Sequence, residues 1–224
     1  MGKKLPRKFY LSEDTIAVAR GLLGKLIVVP DENGRCVSGM IVETEAYLGV
    51  TDRAAHSFGG RRTPRNEVTY GKGGYAYVFF IYGMYHQLNV VTGPAEHPHV
   101  VLIRAIEPVD GIETMRERRG FLSEPGACGV PAGASPSGVL VATGSKSDKN
   151  LTSGPGKLCI ALNIDKTLNA EDLVAGKIWL EAHRTLTDEE ITTGKRIGID
   201  YAGEDAHLPL RFWLKGNLFV SKRK

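Results

Sequence analysis

The stretch MIVETEAYLG, residues 40–49, constrains the fold more than any other part of the chain, because its β-strand pattern carries two glutamates. In a strand, residues two positions apart point to the same side. Strict alternation gives one face with Ile41, Glu43, Glu45 and Tyr47, and another with Met40, Val42, Thr44 and Ala46. A buried carboxylate costs several kcal/mol unless it is paired or hydrated. Two arrangements meet this condition: an edge strand with its polar face in solvent, or a sheet whose second face lines a cleft where a glutamate can act as a general base.

The bulk properties predict a single domain of moderate size. The 224 residues leave room for a sizeable core. The formal net charge of +4 is weak evidence for a polyanionic partner, because basic clusters such as 61–65 and 222–224 are commonly solvated surface. No apolar run approaches the roughly 18 residues of a membrane span, and the charged start lacks a following apolar core. The predicted location is the cytoplasm (at the nucleoid, if the source is bacterial), without membrane association.

Cysteine and histidine spacing indicates neither a disulfide framework nor a zinc site. The three cysteines are far apart and form no CxxC pair. The segment EHPH, residues 96–99, contains a proline and follows a glycine closely, so it predicts a turn with solvent-facing histidines. No metal and no other cofactor is predicted.

Local patterns predict a mixed α/β fold with a curved, mainly antiparallel sheet. The predicted helices are one capped by Ser12 with Ile16, Ala19, Leu22 and Leu23 on one face, one at 111–120, and one entered through 154–157. The predicted strands are 26–29, the opening stretch, the two halves of 75–91, 99–107, 178–182, 210–214 and 218–222. Residues 31–34 predict a hairpin turn, and 50–74 a loop. Residues 121–150, rich in glycine, alanine, serine and proline, predict a mobile insertion within one domain that spans 1–224.

The densest aromatic run, residues 75–91, predicts a β-hairpin with Tyr82 beside Gly83 at its tip. Aromatic strands are most often part of the core, but an exposed aromatic side chain can wedge into a base stack. Basic groups beside aromatic surfaces hold nucleic acid. Lys157, at a helix N-terminus, can bind a phosphate or belong to a plain glycine turn. The residues alone are compatible with an α/β enzyme that binds nucleic acid or nucleotides.

Six blocks of the chain, taken in order, resemble one known family. The blocks are GMIVETEAYLG, AAHSFGGRRTPRN, YVFFIYGMYHQLNVV, VLIRAIEP, SGPGKLCIALNID and AGEDAHLPLRFWL. They are similar to the alkyladenine (3-methyladenine) DNA glycosylase family over most of residues 12–220, with 121–150 as the main part without a match. The resemblance implies a single mixed α/β domain with a curved antiparallel sheet and a protruding β-hairpin that intercalates into DNA. It also implies that the helix-hairpin-helix of other base-excision glycosylases is absent.

The resemblance assigns a role to each candidate residue. Glu45 aligns with the catalytic carboxylate that activates the attacking water, and Arg104 with the residue that helps position this water. The base pocket would consist of Tyr47, His56 and Phe79, which sandwich the extruded base, and Asn89, which crowds the 2-amino group of guanine. The DNA contacts would be Tyr82 as the intercalating wedge, Met84 and Tyr85 in the minor groove, and Arg61, Arg62, Thr63 and Arg65 near the backbone, with Lys157 as the candidate phosphate ligand. Phe79 stands where the family often has tyrosine, so one pocket hydroxyl is lost.

The resemblance implies a DNA glycosylase that acts on double-stranded DNA and starts base excision repair. Because no lysine is placed to act as a Schiff-base nucleophile, the enzyme is predicted to be monofunctional, and the architecture suggests a monomer. Its substrates would be alkylated or deaminated purines: 3-methyladenine, 7-methylguanine, hypoxanthine and ethenoadenine. Two other interpretations stay open. A non-catalytic module that binds damaged nucleic acid would use the basic clusters and Tyr82, but has no need for Glu45 and Arg104. A hydrolase of free nucleosides would use the glutamates, but has no need for Tyr82 or the arginine loop.

Overall fold

An antiparallel β-sheet forms the framework of the protein. The computed structural model describes residues 2–31, 34–121 and 148–221, and within these residues eight strands form one curved sheet. The strands are β1 (Leu26–Pro30), β2 (Cys36–Tyr47), β3 (Ala76–Ile81), β4 (Tyr85–Thr92), β5 (His99–Asp110), β6 (Trp179–Glu181), β7 (Ile191–Gly194) and β8 (Arg211–Leu214). The helices are α1 (Arg7–Tyr10), α2 (Thr15–Leu22), α3 (Ile112–Arg118) and α4 (Pro155–Leu162). The predicted mixed α/β class with a curved antiparallel sheet is confirmed.

Strand β2 lies at the centre of this sheet. The strand order is β3-β4-β5-β2-β1-β6, and β8 joins β2 beyond the end of β1 and also pairs with β7. The first half of β2 pairs with β1 and its second half with β8, while β5 runs along its other side. Every residue from Val37 to Ala46 is buried. The alternative of an edge strand with its glutamates in solvent is therefore wrong.

A double irregularity in the β2–β5 pairing changes which residues of β2 share a face. The register runs from Ile41↔Ile106 through Glu43↔Ala105 to Thr44↔Ile103, so it skips one residue on each strand. Ile41 and Ala46 both pack in the main core, although strict alternation would place them on opposite faces. Met40 and Val42 instead pack in a second cluster with Ala105. The predicted faces are thus wrong across 41–44, because a bulge rotates the chain there.

Helix α2 packs on the main-core face of β2, where the hydroxyl of Thr44 donates a hydrogen bond to the Ala19 carbonyl over 2.9 Å. Its N-cap is Asp14, whose carboxylate accepts the backbone N–H of Ala17 over 2.9 Å. The predicted cap at Ser12 is wrong, because Asp14 reaches the third N–H of the helix and starts it two residues later. The buried face is correspondingly shifted, and Ile16 is exposed.

The predicted hairpin at 75–91 is confirmed as β3 and β4. The turn between them closes with a hydrogen bond from the Met84 N–H to the Ile81 carbonyl over 3.2 Å. Tyr82 and Gly83 both have positive φ angles, 53° and 67°, as a tight hairpin turn requires. The Tyr82 side chain is 77% exposed, so the tip extends into solvent.

The end of the chain differs from the prediction. Strands β6 and β8 confirm two of the three predicted closing strands, but 218–221 forms turns instead of a third. The Asn217 side chain accepts the Phe219 N–H over 2.9 Å, and the Ser221 N–H binds the Glu43 carboxylate over 2.7 Å. Side chains thus satisfy this backbone in place of a neighbouring strand. Strand β7 was not predicted, because ITTG is short and carries little apolar pattern.

The other predicted elements fall on described residues, except for residues 32–33 of the predicted turn, residues 122–147 and residue 222. Helices α3 and α4, strand β5 and the β1–β2 hairpin are confirmed. The predicted insertion at 121–150 lies outside the described residues for 122–147. The EHPH prediction is half right: His97 is exposed, but His99 is partly buried at the start of β5, with Nδ1 3.0 Å from the Thr15 hydroxyl.

Candidate active site

A pocket opens beside the second half of β2. Its wall contains side chains from four strands and two loops: Tyr47, His56, Tyr77, Phe79, Asn89, Arg104, Ile197 and Tyr201 are among them. Tyr82, at the tip of the β3–β4 hairpin, lies at the same pocket. The fold thus brings together residues that are as far apart in sequence as 47 and 201.

Glu45 lies directly behind this pocket and is fully buried. Its Oε1 accepts the backbone N–H of Ile197 over 2.8 Å and lies 3.2 Å from Nη1 of Arg104. Its Oε2 accepts the hydroxyl of Tyr47 over 2.9 Å. Tyr47, Arg104 and Ile197 all line the pocket, so the carboxylate is separated from the pocket by its own hydrogen-bond donors.

The surroundings of Glu45 adjust its basicity in opposing directions. Burial raises the pKa of the Glu45 carboxyl, whereas the charge of Arg104, the Ile197 N–H and the Tyr47 hydroxyl lower it, and burial prevails. Burial also raises the pKa of Tyr47 well above its usual range, and the nearby Glu45 charge adds to this. Tyr47 is therefore a neutral donor at physiological pH. A carboxylate with a raised pKa is a better proton acceptor than a solvent-exposed one.

An aromatic cluster forms the opposite side of the pocket. The rings of His56 and Phe79 lie 4.7 Å apart at 72°, and those of Tyr77 and Phe79 5.1 Å apart. Nδ1 of His56 lies 2.8 Å from the Tyr77 hydroxyl. Although part of the His56 side chain is in solvent, burial of the ring lowers its pKa to about 4, and the charges of Arg65 and Arg61 add to this. The imidazole is thus neutral at pH 7.

Asn89 lies on the wall of the pocket and is 3% exposed. Its side-chain amide donates a hydrogen bond to the Tyr77 carbonyl over 3.2 Å, across the β3–β4 pair. The bond fixes the orientation of the amide, so Asn89 presents a rigid polar surface to any molecule in the pocket.

The predicted arginine loop is held mainly by its own contacts. Arg62 pairs with Glu67 over 2.6 Å and with Glu96 over 2.8 Å. Thr63 donates its N–H and hydroxyl to Asn66, over 2.7 Å and 2.9 Å. Arg65 lies over the aromatic cluster, with its guanidinium carbon 5.0 Å from the centre of the Phe79 ring.

Arg61 is exposed, and its carbonyl accepts hydrogen bonds from Asn66 and Tyr70. The three arginines of the loop are all exposed, but their contacts differ: Arg62 is held by two ion pairs, whereas Arg65 lies over the aromatic cluster.

The start of β4, next to the tip of the hairpin, lies against the first turn of α4. A side chain at Gly156 would come within 2.9 Å of the Tyr85 ring, so the helix approaches closely only because this residue is glycine. Nζ of Lys157 lies 3.2 Å from the side-chain oxygen of Asn150. Met84, next to Tyr85, is 65% exposed. The structure thus places Met84, Tyr85 and Lys157 in one region beside the hairpin.

Several residues of the site were not predicted. Tyr77 contacts His56, and Tyr201 lines the pocket with its ring 72% exposed. Arg196 forms a buried ion pair with Asp52 over 2.5 Å, and its guanidinium carbon lies 4.7 Å from the Tyr47 ring centre. A charged residue within RIGI, next to two isoleucines, is a signal that could have indicated a buried partner.

The described residues contain neither a cluster of metal ligands nor a membrane-spanning helix. In residues 2–31, 34–121 and 148–221, no group of three or more histidine, cysteine, aspartate or glutamate side chains is arranged to hold a metal ion. Over the same ranges, no helix has the length and hydropathy needed to cross a membrane.

Comparison with known proteins identifies the family. The family model for methylpurine-DNA glycosylase matches residues 8–218. The chain belongs to the methylpurine-DNA glycosylase family. The family that the six sequence blocks resemble is thereby confirmed, as are the predicted enzyme class, a DNA glycosylase, and DNA as its substrate.

Bacterial members of the methylpurine-DNA glycosylase family are similar to this chain over its whole length. A protein of Desulfitobacterium hafniense (strain Y51) is 47% identical, and the alignment covers 98% of both chains. A protein of Clostridium acetobutylicum is 46% identical over 99% of this chain and 98% of its own. A protein of Alkaliphilus oremlandii is 45% identical over 98% of this chain and 100% of its own. Each carries the name "Putative 3-methyladenine DNA glycosylase".

Proposed function

We propose that this protein removes damaged purines from double-stranded DNA by hydrolysing the N-glycosidic bond with a water activated by Glu45. One observation carries the proposal: a fully buried carboxylate, held by Arg104, Tyr47 and the Ile197 N–H, lies directly behind a pocket with aromatic walls. Burying a carboxylate in such a position costs stability. Proteins tolerate such a cost mainly at functional sites. The family membership of the chain supports the same reaction.

The chemistry requires the damaged nucleotide to leave the base stack, at a cost of a few kcal/mol that is smallest for damaged or mispaired bases. Glu45 accepts a proton from a water, whose oxygen forms a bond to C1′ as the bond from C1′ to the base nitrogen breaks. The electron pair leaves with the base. Arg104 positions the water, and the negative charge of Glu45 stabilises the oxocarbenium-like transition state.

The aromatic residues would bind the extruded base. Tyr47 would stack on one side, and His56 and Phe79 on the other. A base alkylated at N3 or N7 is cationic, and it is attracted to aromatic faces. The neutral imidazole of His56 does not repel it. Asn89, with its amide held by the Tyr77 carbonyl, would crowd the 2-amino group of guanine and disfavour undamaged guanine.

The β3–β4 hairpin would hold the DNA open. Tyr82 is exposed at a tight turn and lies at the pocket, so its ring can fill the gap that the flipped nucleotide leaves. Met84 and Tyr85 would contact the minor groove. The arginine loop, in which Arg61, Arg62 and Arg65 are exposed, and Lys157 would lie near the phosphates.

We further propose a monofunctional, monomeric enzyme that acts on 3-methyladenine, 7-methylguanine, hypoxanthine and ethenoadenine. The pocket-lining residues in the described part of the chain include no lysine, so water is the expected nucleophile. Borohydride added during the reaction should trap no covalent complex with DNA. A trapped complex would contradict the hydrolytic mechanism.

The deciding experiment is single-turnover base release from a duplex with one hypoxanthine, measured for the wild type and for Glu45→Gln. Glutamine keeps the shape of the side chain but cannot accept the proton. We expect release to fall by roughly a hundredfold or more while duplex binding persists. Equal release by both proteins would remove Glu45 from the mechanism.

If the wild type does not release hypoxanthine, alkylated DNA containing 3-methyladenine and 7-methylguanine is the next substrate. Phe79→Tyr then tests whether the missing hydroxyl narrows the range of bases that the enzyme accepts. Binding of lesion duplexes without release of any of these bases would favour the non-catalytic binding module instead.

A further inference from the structure

A second buried glutamate, Glu43, lies next to the candidate catalytic residues Glu45 and Arg104 and accepts four hydrogen bonds. Its Oε1 accepts Nε of Arg104 over 3.1 Å, Nε of Arg211 over 2.6 Å and the hydroxyl of Ser221 over 2.9 Å. Its Oε2 accepts the N–H of Ser221 over 2.7 Å. Glu43 is fully buried, so these contacts replace all of its hydration.

These contacts determine the orientation of Arg104. The planar guanidinium has donors at fixed angles. With Nε bound to Glu43, Nη1 faces Oε1 of Glu45 at 3.2 Å and Nη2 lies 3.5 Å from the Ser221 hydroxyl. The β2–β5 register skips Arg104, which lies opposite the bulge of β2. The Glu43 carboxylate therefore fixes the guanidinium through Nε.

We infer that Glu43 is a positioning residue that holds the Arg104 guanidinium in place between the two glutamates, so that Arg104 can orient the water that Glu45 activates. The inference rests on the proposed function. The segment around Ser221 contributes to this positioning, because it completes the set of donors around Glu43.

Glu43 also affects Glu45 through charge. The charged and polar groups around Glu45 are Arg104 on β5, Glu43 and Tyr47 on β2, Arg211 opposite it on β8, and Arg196 and the Ile197 N–H on the preceding loop. The negative charge of Glu43 raises the pKa of Glu45, and it shares the positive charge of Arg104. If Glu43 became neutral, Arg104 would stabilise the Glu45 carboxylate more strongly, and the pKa of Glu45 would fall.

The test is Glu43→Gln, with single-turnover base release measured from pH 4 to pH 8 and duplex affinity measured separately. Because the guanidinium loses an anionic anchor, we expect the plateau rate to fall by roughly tenfold or more, with duplex affinity retained. In the pH–rate profile, the rate falls at low pH as Glu45 becomes protonated. This acid limb should lie at lower pH in Glu43→Gln than in the wild type. A purely structural role would lower the amount of folded enzyme without moving this limb.

The matched control is Glu181→Gln, which makes the same change at a buried glutamate on β6. Glu181 accepts the Trp179 ring N–H over 2.7 Å and is 4% exposed, but it has no contact with Arg104. It should leave the position of the acid limb unchanged. A limb that moves equally in both variants would overturn the inference.

A double-mutant cycle tests whether Glu43 acts through Arg104. In an Arg104→Ala background, Glu43→Gln should cause little further loss, because the group that it positions is gone. Independent, multiplicative losses would overturn the inference. If Glu43→Gln does not fold, Ser221→Ala takes its place, since it removes one donor to Oε1 of Glu43 and leaves the charge. An unchanged rate in Ser221→Ala would then overturn the inference.

The outcomes separate the two proposals. Absence of base release by the wild type on every tested lesion would defeat the proposed function itself. Normal release by the wild type, with an unchanged rate and acid limb in Glu43→Gln, would defeat only the positioning role.

Discussion

Glu43 and Glu45 are identical side chains two residues apart, but their hydrogen-bond partners differ, and so do their proposed roles. Glu45 binds groups that line the pocket, namely Tyr47, Arg104 and the Ile197 N–H. Glu43 shares Arg104 with Glu45, but its other partners, Ser221 and Arg211 of β8, are not among the pocket-lining residues. Residue type and spacing cannot distinguish the two carboxylates, but the donors that surround each of them can.

Asn89 permits a direct test of substrate discrimination. Asn89→Ser shortens the side chain and removes the amide that faces the pocket. We expect release of guanine from a G·T mismatch to rise by roughly tenfold, the scale of discrimination by small steric differences, with release of hypoxanthine nearly unchanged. Single-turnover assays on both duplexes check this. Unchanged guanine release would count against the pocket assignment of Asn89.

His56 permits a test of the pH dependence of stability. Its pKa in the folded protein is about 4, below the ordinary value of 6.5. The unfolded chain therefore binds more protons between these values, and the His56 contribution to stability, complete above pH 6.5, is lost as the pH falls toward 4. When the pH is lowered from 7 to 4.5, the unfolding temperature of His56→Gln should decrease less than that of the wild type. Parallel curves for the two proteins would refute the assigned pKa shift. Because the side chain is partly in solvent, we expect a modest difference.

At the scale of elements, the β3–β4 hairpin combines a tight turn with an exposed ring. The positive φ of Tyr82 is unfavourable for a residue with a side chain. A glycine would satisfy this turn better, so the tyrosine is kept at a cost in strain. Such a cost indicates a use for the ring outside the fold.

Tyr82→Ser removes this ring and keeps the turn. We expect base release from a lesion duplex to fall by roughly tenfold or more, since the wedge holds the nucleotide out of the stack. Tyr82→Phe, which keeps the ring, is the control and should behave like the wild type. A hydrolase of free nucleosides would be insensitive to Tyr82→Ser, so equal activity of both variants would favour that interpretation.

The start of α2 can be tested with two neighbouring residues. Asp14 caps the helix through the Ala17 N–H, whereas Ser12 lies outside it. Asp14→Ala should lower the free energy of unfolding by about 1 kcal/mol, and Ser12→Ala should change it by less than about 0.5 kcal/mol. Denaturant unfolding of both variants measures this. The reverse order would restore the cap predicted from the sequence.

At the scale of the whole molecule, the protein has a net charge of only +4, although its substrate, DNA, is a polyanion. Part of the positive charge is already neutralised internally: Arg62 by Glu67 and Glu96, Arg196 by Asp52, and Arg104 by two glutamates. The remaining exposed cations, of which Arg61 is one, are therefore the candidates for phosphate contacts.

Duplex affinity should weaken steeply as salt increases, because phosphate contacts release counterions. Arg61→Ala should lower the slope of log affinity against log salt by about one unit. Arg35→Ala, at the opposite end of β2 from Tyr47 and paired with Asp31, should leave this slope unchanged. An affinity that does not depend on salt would contradict the proposed phosphate contacts.

Sequence patterns succeeded where the signal is local. The β3–β4 hairpin, strand β5 and helices α3 and α4 follow from local patterns and are present in the structure. The family resemblance, not a local pattern, singled out Tyr47, His56, Phe79, Asn89 and Arg104, which line the pocket. The local patterns failed at the N-cap of α2, at the missed strand β7 and at 218–221. In each of these places, a single side-chain contact or a short pairing partner outweighs the local pattern.

The sequence by itself determined the fold class, the family and the residue types that the chemistry needs, because alternation, turn residues and six ordered blocks are properties of the chain. The resemblance singled out Glu45, but only the tertiary structure showed that Glu45 binds residues of the pocket wall and that Glu43 is bound to Nε of Arg104. The reason is physical: a bulge rotates β2 between Ile41 and Thr44, and donors from β5, β8 and the chain end, up to 178 residues away in sequence, converge on one carboxylate. No pattern within β2 contains that information.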